Sequence, residues 1–200
     1  MTVLGFTVTF HSPFRVGAAY ARDGVVAALD RDDPLPADHL KGVMRAAAGQ
    51  LLADHRHPAI LEVFGSPRSP SPWSWSGATR IGENDWVFSR RHRVKIDEGS
   101  HMAIEDHLVR AEQAWAPAAR FTVSRVGMIA PGGLSEPAHI SLLRCAAAGV
   151  HGLGAWRRRG LGWVGITPDD GQVTADDIAV IRALAGAGEA SGTAGEASGI

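Results

Sequence analysis

The segment LPADHLKGVMRAAA, residues 35–48, constrains the fold most, because it predicts a helix with a sharply defined start. Pro36 suits the first turn of a helix, where its missing N–H group would have no partner in any case. Lys41 and Arg45 are one turn apart and therefore share one face of this helix. On another face, apolar residues recur at helical spacing and predict a buried stripe, formed by Leu40, Val43, Met44, Ala47, Ala48, Leu51 and Leu52.

Gly42 lies between these two cations, inside the predicted helix. Glycine at such a position costs about 1 kcal/mol relative to alanine, so it needs a local reason. Close approach of another backbone beside the two cations would be one reason, and a polyanion would be the natural partner. The other interpretation is an amphipathic helix with an ordinary solvated edge. The helix by itself favours this second interpretation.

The composition restricts how the chain could bind nucleic acid. Of its 200 residues, 45% are hydrophobic, which is enough for one globular domain with a core. The formal net charge of −1 gives no general attraction for nucleic acid, so binding would need local basic patches. Two such patches are present, at residues 90–95 and 157–159.

The sequence also favours a cytoplasmic protein without membrane contact. The N-terminal residues lack the charged region of a signal peptide, and no apolar run reaches the ~20 residues of a membrane span. Cys145 is the only cysteine, which rules out an internal disulfide and fits a reducing compartment. Its apolar neighbours favour a packed thiol over a nucleophile.

The order of the periodic segments predicts an α+β protein. Strand patterns are present at residues 2–10, 86–97, 120–126 and 163–166. Helical spacing predicts helices at residues 36–53, 137–149 and 176–184, with a partly helical segment at 99–115. This order is consistent with a ferredoxin-like (RRM-like) βαββαβ core that carries an insertion at about 65–120 and a C-terminal glycine-rich loop. We expect a single domain over residues 1–184 and a disordered, low-complexity tail over 185–200.

The glycine-rich loop, residues 152–162, gives the strongest local indication of function. Its four glycines, Gly152, Gly154, Gly160 and Gly162, flank Trp156 and three arginines, Arg157, Arg158 and Arg159. Glycine allows backbone N–H groups to approach a phosphate, and arginine supplies charge and a planar donor group. The loop is not a Walker loop, because no Gly-Lys-Ser/Thr follows, and it is not a dinucleotide fingerprint, because it follows a helix and precedes a strand. A flexible connector is the alternative, but the pattern favours nucleic acid.

Other candidate residues leave two interpretations open. The acidic residues at 30–33 suit a divalent cation, but a solvated turn is the favoured interpretation. His55 and His57 lie two residues apart, without a further ligand pair that would indicate a metal site. Trp73 and Trp75 face the same way in a strand and could stack on bases, although burial in the core is favoured.

Four stretches, in this order, resemble the RAMP superfamily, the RNA-binding subunits of CRISPR effector complexes. They are LPADHLKGVMRAA at residues 35–47, VFG at 63–65 followed by WSWSGA, RVKIDEGSHMAIEDHLVRAE at 93–112, and GLGAWRRRGLGWVGI at 152–166. The first is similar to the family's S-x-K-G-x-x-R helix start, with His39 in place of the serine. The third is similar to a central part of type III backbone subunits.

The resemblance implies a subunit that binds guide RNA and packs head to tail with copies of itself or with other effector subunits. In type III backbone subunits, an aspartate in the loop after the first strand cuts the complementary target RNA. Asp23 matches that aspartate best, and Asp30 is the reserve candidate. A thumb hairpin would lie at about residues 82–93. The RNA-binding residues would be Arg15, His39, Lys41, Arg45, Arg90, Arg91, Arg93, Gly152, Gly154, Arg157, Arg158, Arg159 and Gly160.

The expected chemistry is cleavage of RNA by its own 2′-OH, with Asp23 as base or as ligand of a divalent cation, most simply Mg²⁺. The metal-binding residues are unknown from sequence, and an Asp23-Gly24 turn is the structural alternative. Two other functions stay open. One is a non-cleaving structural RAMP subunit. The other is a stand-alone guide-processing endoribonuclease that uses a histidine such as His11.

Overall fold

The computed structural model describes residues 1–17, 28–82, 85–104 and 108–192, with side chains up to residue 187. The architecture is α+β, with antiparallel sheets and four α-helices in the described part of the chain. The elements are, in order, β1 (Val3–Phe10), α1 (Ala37–Leu51), α2 (Pro58–Phe64), β2 (Trp73–Trp75), β3 (Thr79–Arg80), β4 (Val87–Arg93), β5 (Val109–Trp115), β6 (Ala118–Arg125), α3 (Glu136–Ala148), β7 (Val164–Pro168) and α4 (Ala175–Gly192).

The main sheet has the strand order β2–β6–β1–β7, with all neighbours antiparallel, and β3 also pairs with β6. The predicted alternation in β1 and β6 is confirmed, because Phe6 and Val8 of β1 and Phe121 and Val123 of β6 are buried. Phe6 pairs with Phe121 in the register, and their rings stack with centroids 5.2 Å apart. These side chains form the sheet's contribution to the core.

The helices predicted at 36–53 and 137–149 are confirmed as α1 and α3. Leu40 and Met44 of α1 are fully buried, as are Leu142 and Leu143 of α3. Leu51, the last residue of α1, was predicted to lie in the buried stripe but is 40% exposed. The helix ends there, and the next residue, Leu52, is buried instead. The two helices pack against each other and position the N-terminal half of α1 beside the loop that precedes β7.

Residues 99–115, predicted to be partly helical, instead contain β5, so that prediction is wrong. Leu108, Ala111, Glu112 and Trp115 have helical spacing in the sequence, but β5 pairs with β4 along its whole length. Glu112 is buried although it is charged, since it bonds to Arg31 at 2.7 Å. This contact joins distant parts of the chain, and pairing with β4 makes the segment a strand although it has no local strand pattern.

Four smaller assignments complete the fold. The apolar residues 60–64 lie in α2, whose N-terminus is capped by the His57 ring. α4 extends to Gly192, beyond the predicted end of the domain at residue 184, and the alanine-rich sequence favours helix there.

Cys145 is buried, which raises the pKa of its thiol to about 11 and fits the predicted packed role. None of the helices in the described residues is long and apolar enough to span a bilayer.

Candidate nucleic-acid interface

The first helix and the glycine-rich loop are joined by a hydrogen bond. The backbone N–H of Gly154 donates to Nε2 of His39 at 2.9 Å. A ring nitrogen can accept only when it is unprotonated, so the bond requires neutral imidazole at His39. Burial, and then the nearby charge of Arg157, lower the pKa of His39 and favour that neutral form. His39, predicted to contact RNA, therefore holds the loop against α1 in this structure.

The glycine-rich loop has a defined backbone conformation, which its glycines permit. Gly154 and Gly162 have φ of +76° and +73°, in the left-handed region that glycine adopts without a steric penalty. A Cβ at Gly154 would collide with the Arg15 carbonyl, and one at Gly162 would collide with the Leu153 carbonyl. The N–H groups of Ala155 and Gly162 donate to the carbonyls of Arg15 and Pro13. The segment that follows β1 therefore holds the glycine-rich loop through two backbone hydrogen bonds.

Trp156, which sequence analysis did not select as a site residue, joins three parts of this region. The guanidinium carbons of Arg15 and Arg93 lie 5.4 and 5.2 Å from the centroid of its ring, within the range of cation–π contacts. Arg93 ends β4, so the tryptophan links the glycine-rich loop to the β4–β5 hairpin. Burial lowers the pKa of Arg15. A tryptophan between paired glycines was the one sequence feature that pointed to this position.

A groove of about 490 Å³ separates α1 from the glycine-rich loop. Gly42 leaves the groove open on the side of α1, because no atom lies within 4 Å of the position that a Cβ would take there. Arg157 lines its opposite wall and is exposed, as are Arg158 and Arg159, and the three form a short 3₁₀ helix. The space beside Gly42 is therefore open. No backbone among the described residues approaches closely enough to explain why a glycine occupies this position.

Lys41 and Arg45 do share one face of α1, but both have contacts within the chain. Arg45 donates from Nη1 to the Gly65 carbonyl at 2.6 Å, and Lys41 Nζ lies 5.1 Å from the centroid of the Trp75 ring. They line a second cleft of about 490 Å³, which faces the turn at 65–71. Neither contact uses all the donors of its cation, so RNA binding by Lys41 and Arg45 stays a prediction.

The hairpin of β4 and β5 carries the predicted basic patch. Arg90 and Arg91 are exposed, and Arg93 is half-buried against Trp156. Arg90 lies opposite Glu112, whose buried carboxylate also accepts the Leu29 N–H at 3.3 Å. The hairpin and residues 28–31 are therefore held together by one carboxylate.

The two tryptophans Trp73 and Trp75 are buried, so the core interpretation of that strand is confirmed. Trp73 Nε1–H donates to Nδ1 of His139 at 3.0 Å, deep in the core. Phe64 stacks on the Trp75 ring with centroids 5.7 Å apart. Neither ring is available to a base.

Asp23 and Arg22 lie outside the described residues, and Asp30 is half-buried. Asp30 accepts the backbone N–H groups of Asp32 and Asp33 through one oxygen, which forms the turn before α1. Burial, and then the charge of Asp30, raise the pKa of Asp33. Among the described residues, no group of three or more His, Cys, Asp or Glu side chains is placed to hold a metal ion.

Comparison with known proteins yields similarity of structure only. No family model matches the chain, and no curated protein sequence matches it. A chain in the cryo-EM structure "Type III-B Cmr-beta bound to cognate target RNA" is similar with a TM-score of 0.62 at 12% identity, over 84% of this chain and 97% of that chain. A chain of the apo-state structure gives a TM-score of 0.61 with the same identity and coverage. At this identity the likeness shows a shared fold.

Proposed function

We propose that the chain binds guide RNA as a backbone subunit of a type III-like CRISPR effector complex. The observation that carries the proposal is the groove between α1 and the glycine-rich loop, into which Gly42 opens and along which Arg157 lies. The RAMP resemblance assigns guide-RNA contacts to these same two segments. The fold shared with chains of the two Cmr-beta structures supports the same assignment. Target RNA, further copies of the chain and other effector subunits are the remaining partners.

The groove suits a polynucleotide backbone for two physical reasons. Gly42 leaves the helix surface bare, so a sugar–phosphate backbone can approach α1 closely. Arg157 presents a planar guanidinium, which binds a phosphate through two parallel hydrogen bonds. Asp38 lines the N-terminal end of the same groove and repels phosphate there. We therefore place the RNA backbone on the side of the groove that Arg157 lines.

We assign the core to the ferredoxin-like βαββαβ class. If β1, β2, β6 and β7 are the core strands, with α1 and α3 between them, the element order is that of this class. The sheet order places β6 between β1 and β2, and β1 between β6 and β7, which is a split βαβ arrangement in each half. β3, β4 and β5 then lie in the insertion.

The β4–β5 hairpin takes the role of the thumb in this proposal. Its strands present Arg90 and Arg91 to solvent, where they can contact phosphates. Beyond the strands, Val94, Ile96 and Met102 are 48%, 50% and 68% exposed. Apolar side chains at the end of a basic hairpin suit insertion between bases, which is what the family resemblance implies for the thumb.

Cleavage of target RNA by Asp23 is the second part of the proposal, and the family resemblance supports it. RNA supplies its own nucleophile, the 2′-OH, and a carboxylate can accept that proton as the hydroxyl attacks the phosphate. We retain Mg²⁺ in this proposal without assigning it a ligand among the described residues or a step in the reaction. If Asp23 has no effect on cleavage, the alternative is a structural subunit that binds guide RNA alone.

The guide-binding proposal is tested by measuring how salt affects affinity for single-stranded guide RNA. Replacing Arg157, Arg158 and Arg159 with alanine removes charge without disturbing the core, because all three are exposed. Each lost phosphate contact lowers the slope of log affinity against log salt by about 0.7. Arg182→Ala is the matched control, since Arg182 is an exposed arginine on α4.

Weaker binding with a lower salt slope in the triple variant, and no change in the control, would support the proposal. A loss per removed charge that is the same in both proteins would instead indicate a general charge effect. If the wild-type chain neither binds guide RNA nor assembles with effector subunits that carry it, the proposed function is wrong.

A further inference from the structure

An exposed aromatic pair lies at the end of the main sheet, outside the groove described above. Trp163, just before β7, is 63% exposed, and the exposed His11 follows the end of β1. Their ring centroids are 4.9 Å apart, with the ring planes at 49°. The His11 N–H donates to the Trp163 carbonyl at 2.9 Å, and the Trp163 N–H donates to Ser12 Oγ at 2.9 Å. These hydrogen bonds hold the backbones of the two residues side by side.

The same backbone brings Arg157 to the side of Trp163. Gly152 and Trp163 form an antiparallel bridge, whose hydrogen bonds run from Leu153 to Gly162 and from Val164 to His151. This pattern makes Gly152 and Trp163 a non-hydrogen-bonded pair, in which directly opposed side chains lie closest and on the same side. A Cβ at Gly152 would lie 3.2 Å from Cδ of Arg157. Arg157 thus fills the place of the missing side chain, next to Trp163.

The surface beyond the pair is polar. Along the same face of β1, the alternate positions that precede His11 carry Thr9, Thr7 and Gly5, and Thr9 pairs with Gly165 of β7. Gly165 also leaves the area beside the His11 ring open, because a Cβ there would lie 3.8 Å from His11 Nε2. A large exposed indole among hydroxyl groups and glycines has little apolar surface around it to share with a protein partner.

We propose that Trp163, with the His11 ring beside it, is a stacking site for an unpaired base of single-stranded RNA, whose adjacent phosphate binds Arg157. This inference rests on the proposed function and adds a base contact to a surface that otherwise binds the RNA backbone. Stacking on an exposed aromatic ring is tolerant of sequence, because every base presents a π face. Charge complementarity favours RNA as the occupant, since Arg157, Arg158 and Arg159 are exposed at the adjoining loop.

The test compares two RNA ligands of equal length and charge, a labelled oligouridine and the same backbone with abasic positions. The full chain is titrated with each by fluorescence anisotropy. The wild type should bind oligouridine more tightly than the abasic strand. Trp163→Ala should weaken oligouridine binding roughly 5- to 150-fold and leave abasic binding unchanged, so that the difference between the ligands disappears. Trp163→Phe, which keeps a ring, should retain part of the preference.

Met128→Ala is the matched control, because Met128 is an 87% exposed apolar residue outside the loop and the sheet. Unchanged melting temperatures would establish that each variant is folded. If Trp163→Ala keeps the full preference for bases while the triple arginine variant loses affinity, the stacking site is refuted and the proposed function stands. Loss of subunit assembly with unchanged RNA affinity would also refute it and identify a protein contact. If the wild type binds neither ligand, the stacking site is refuted, and the proposed function is then decided by whether the chain assembles with effector subunits that carry guide RNA.

Discussion

His39 Nε2 accepts the backbone N–H of Gly154 at 2.9 Å, although 115 residues separate the two in the chain. Because burial and Arg157 lower the pKa of His39 in the folded protein, the unfolded chain binds a proton there more readily. The contribution of His39 to stability is therefore complete above its ordinary pKa of 6.5 and declines as pH falls from there through the lowered folded value. We expect acidification to loosen the glycine-rich loop.

His39→Gln separates titration from hydrogen bonding, since a glutamine oxygen can accept the same N–H without titrating. We expect melting temperatures measured between about pH 7.5 and 5 to fall less in His39→Gln than in the wild type. His39→Leu removes the acceptor and should cost about 1–3 kcal/mol near pH 7.5, and less at acidic pH, where the wild type itself loses this contact. Identical pH profiles for the wild type and His39→Gln would show that this histidine does not cause the acid sensitivity.

Elements whose buried residues recur at a regular spacing could be predicted from the sequence. Elements whose burial depends on contacts with residues far along the chain could not. Phe6, Val8 and Phe10 alternate with polar residues, so β1 was predictable. β5 was not, because Glu112 occupies a buried position that its contacts with Arg31 and the Leu29 N–H explain. The glycine-rich loop was recognised from composition, but the acceptor for its Gly154 N–H is on α1 and leaves no local pattern.

Gly154→Ala should disrupt the glycine-rich loop more than Gly160→Ala does. Both residues have positive φ, +76° and +79°, so alanine at either one incurs the cost of the left-handed region, about 1–2 kcal/mol. At Gly154 the new Cβ also collides with the Arg15 carbonyl, whereas nothing lies within 4 Å at Gly160. Denaturant unfolding should show the larger loss of stability for Gly154→Ala. Equal losses would mean that the loop does not pack against Arg15 as described.

Gly42→Ala should change stability and RNA affinity in opposite directions. Alanine in a helix interior is favoured over glycine by about 0.5–1 kcal/mol, and the Cβ meets nothing within 4 Å. The free energy of unfolding should therefore rise by about that amount. Guide-RNA affinity should fall, because the methyl group occupies the place where we position the RNA backbone. A variant that is more stable and binds RNA normally would remove Gly42 from the interface.

Arg93→Ala should free the β4–β5 hairpin from the glycine-rich loop, because it removes a guanidinium that lies 5.2 Å from the Trp156 ring centroid. A contact of this kind contributes about 0.5–2 kcal/mol. We expect faster amide hydrogen exchange in residues 87–93 and 109–115, with global stability little changed. Arg91→Ala is the control, since Arg91 is exposed on the same strand. Equal exchange in both variants would show that Trp156 does not restrain the hairpin.

The proposed cleavage is tested by exchanging carboxylate for amide at Asp23 and Asp30. Asparagine keeps the size and an acceptor oxygen, so Asp30→Asn retains the turn that accepts the N–H groups of Asp32 and Asp33. Complexes assembled with each variant are incubated with labelled RNA complementary to the guide. If the Asp23 carboxylate accepts the 2′-OH proton, Asp23→Asn should reduce cleavage by roughly 10²–10⁴-fold while target binding persists. Asp30→Asn should cleave normally.

Chelation of divalent cations should abolish wild-type cleavage if Mg²⁺ participates. Full activity of Asp23→Asn would refute the assignment, loss in Asp30→Asn alone would transfer the role, and intact binding without cleavage by any complex would indicate a structural subunit.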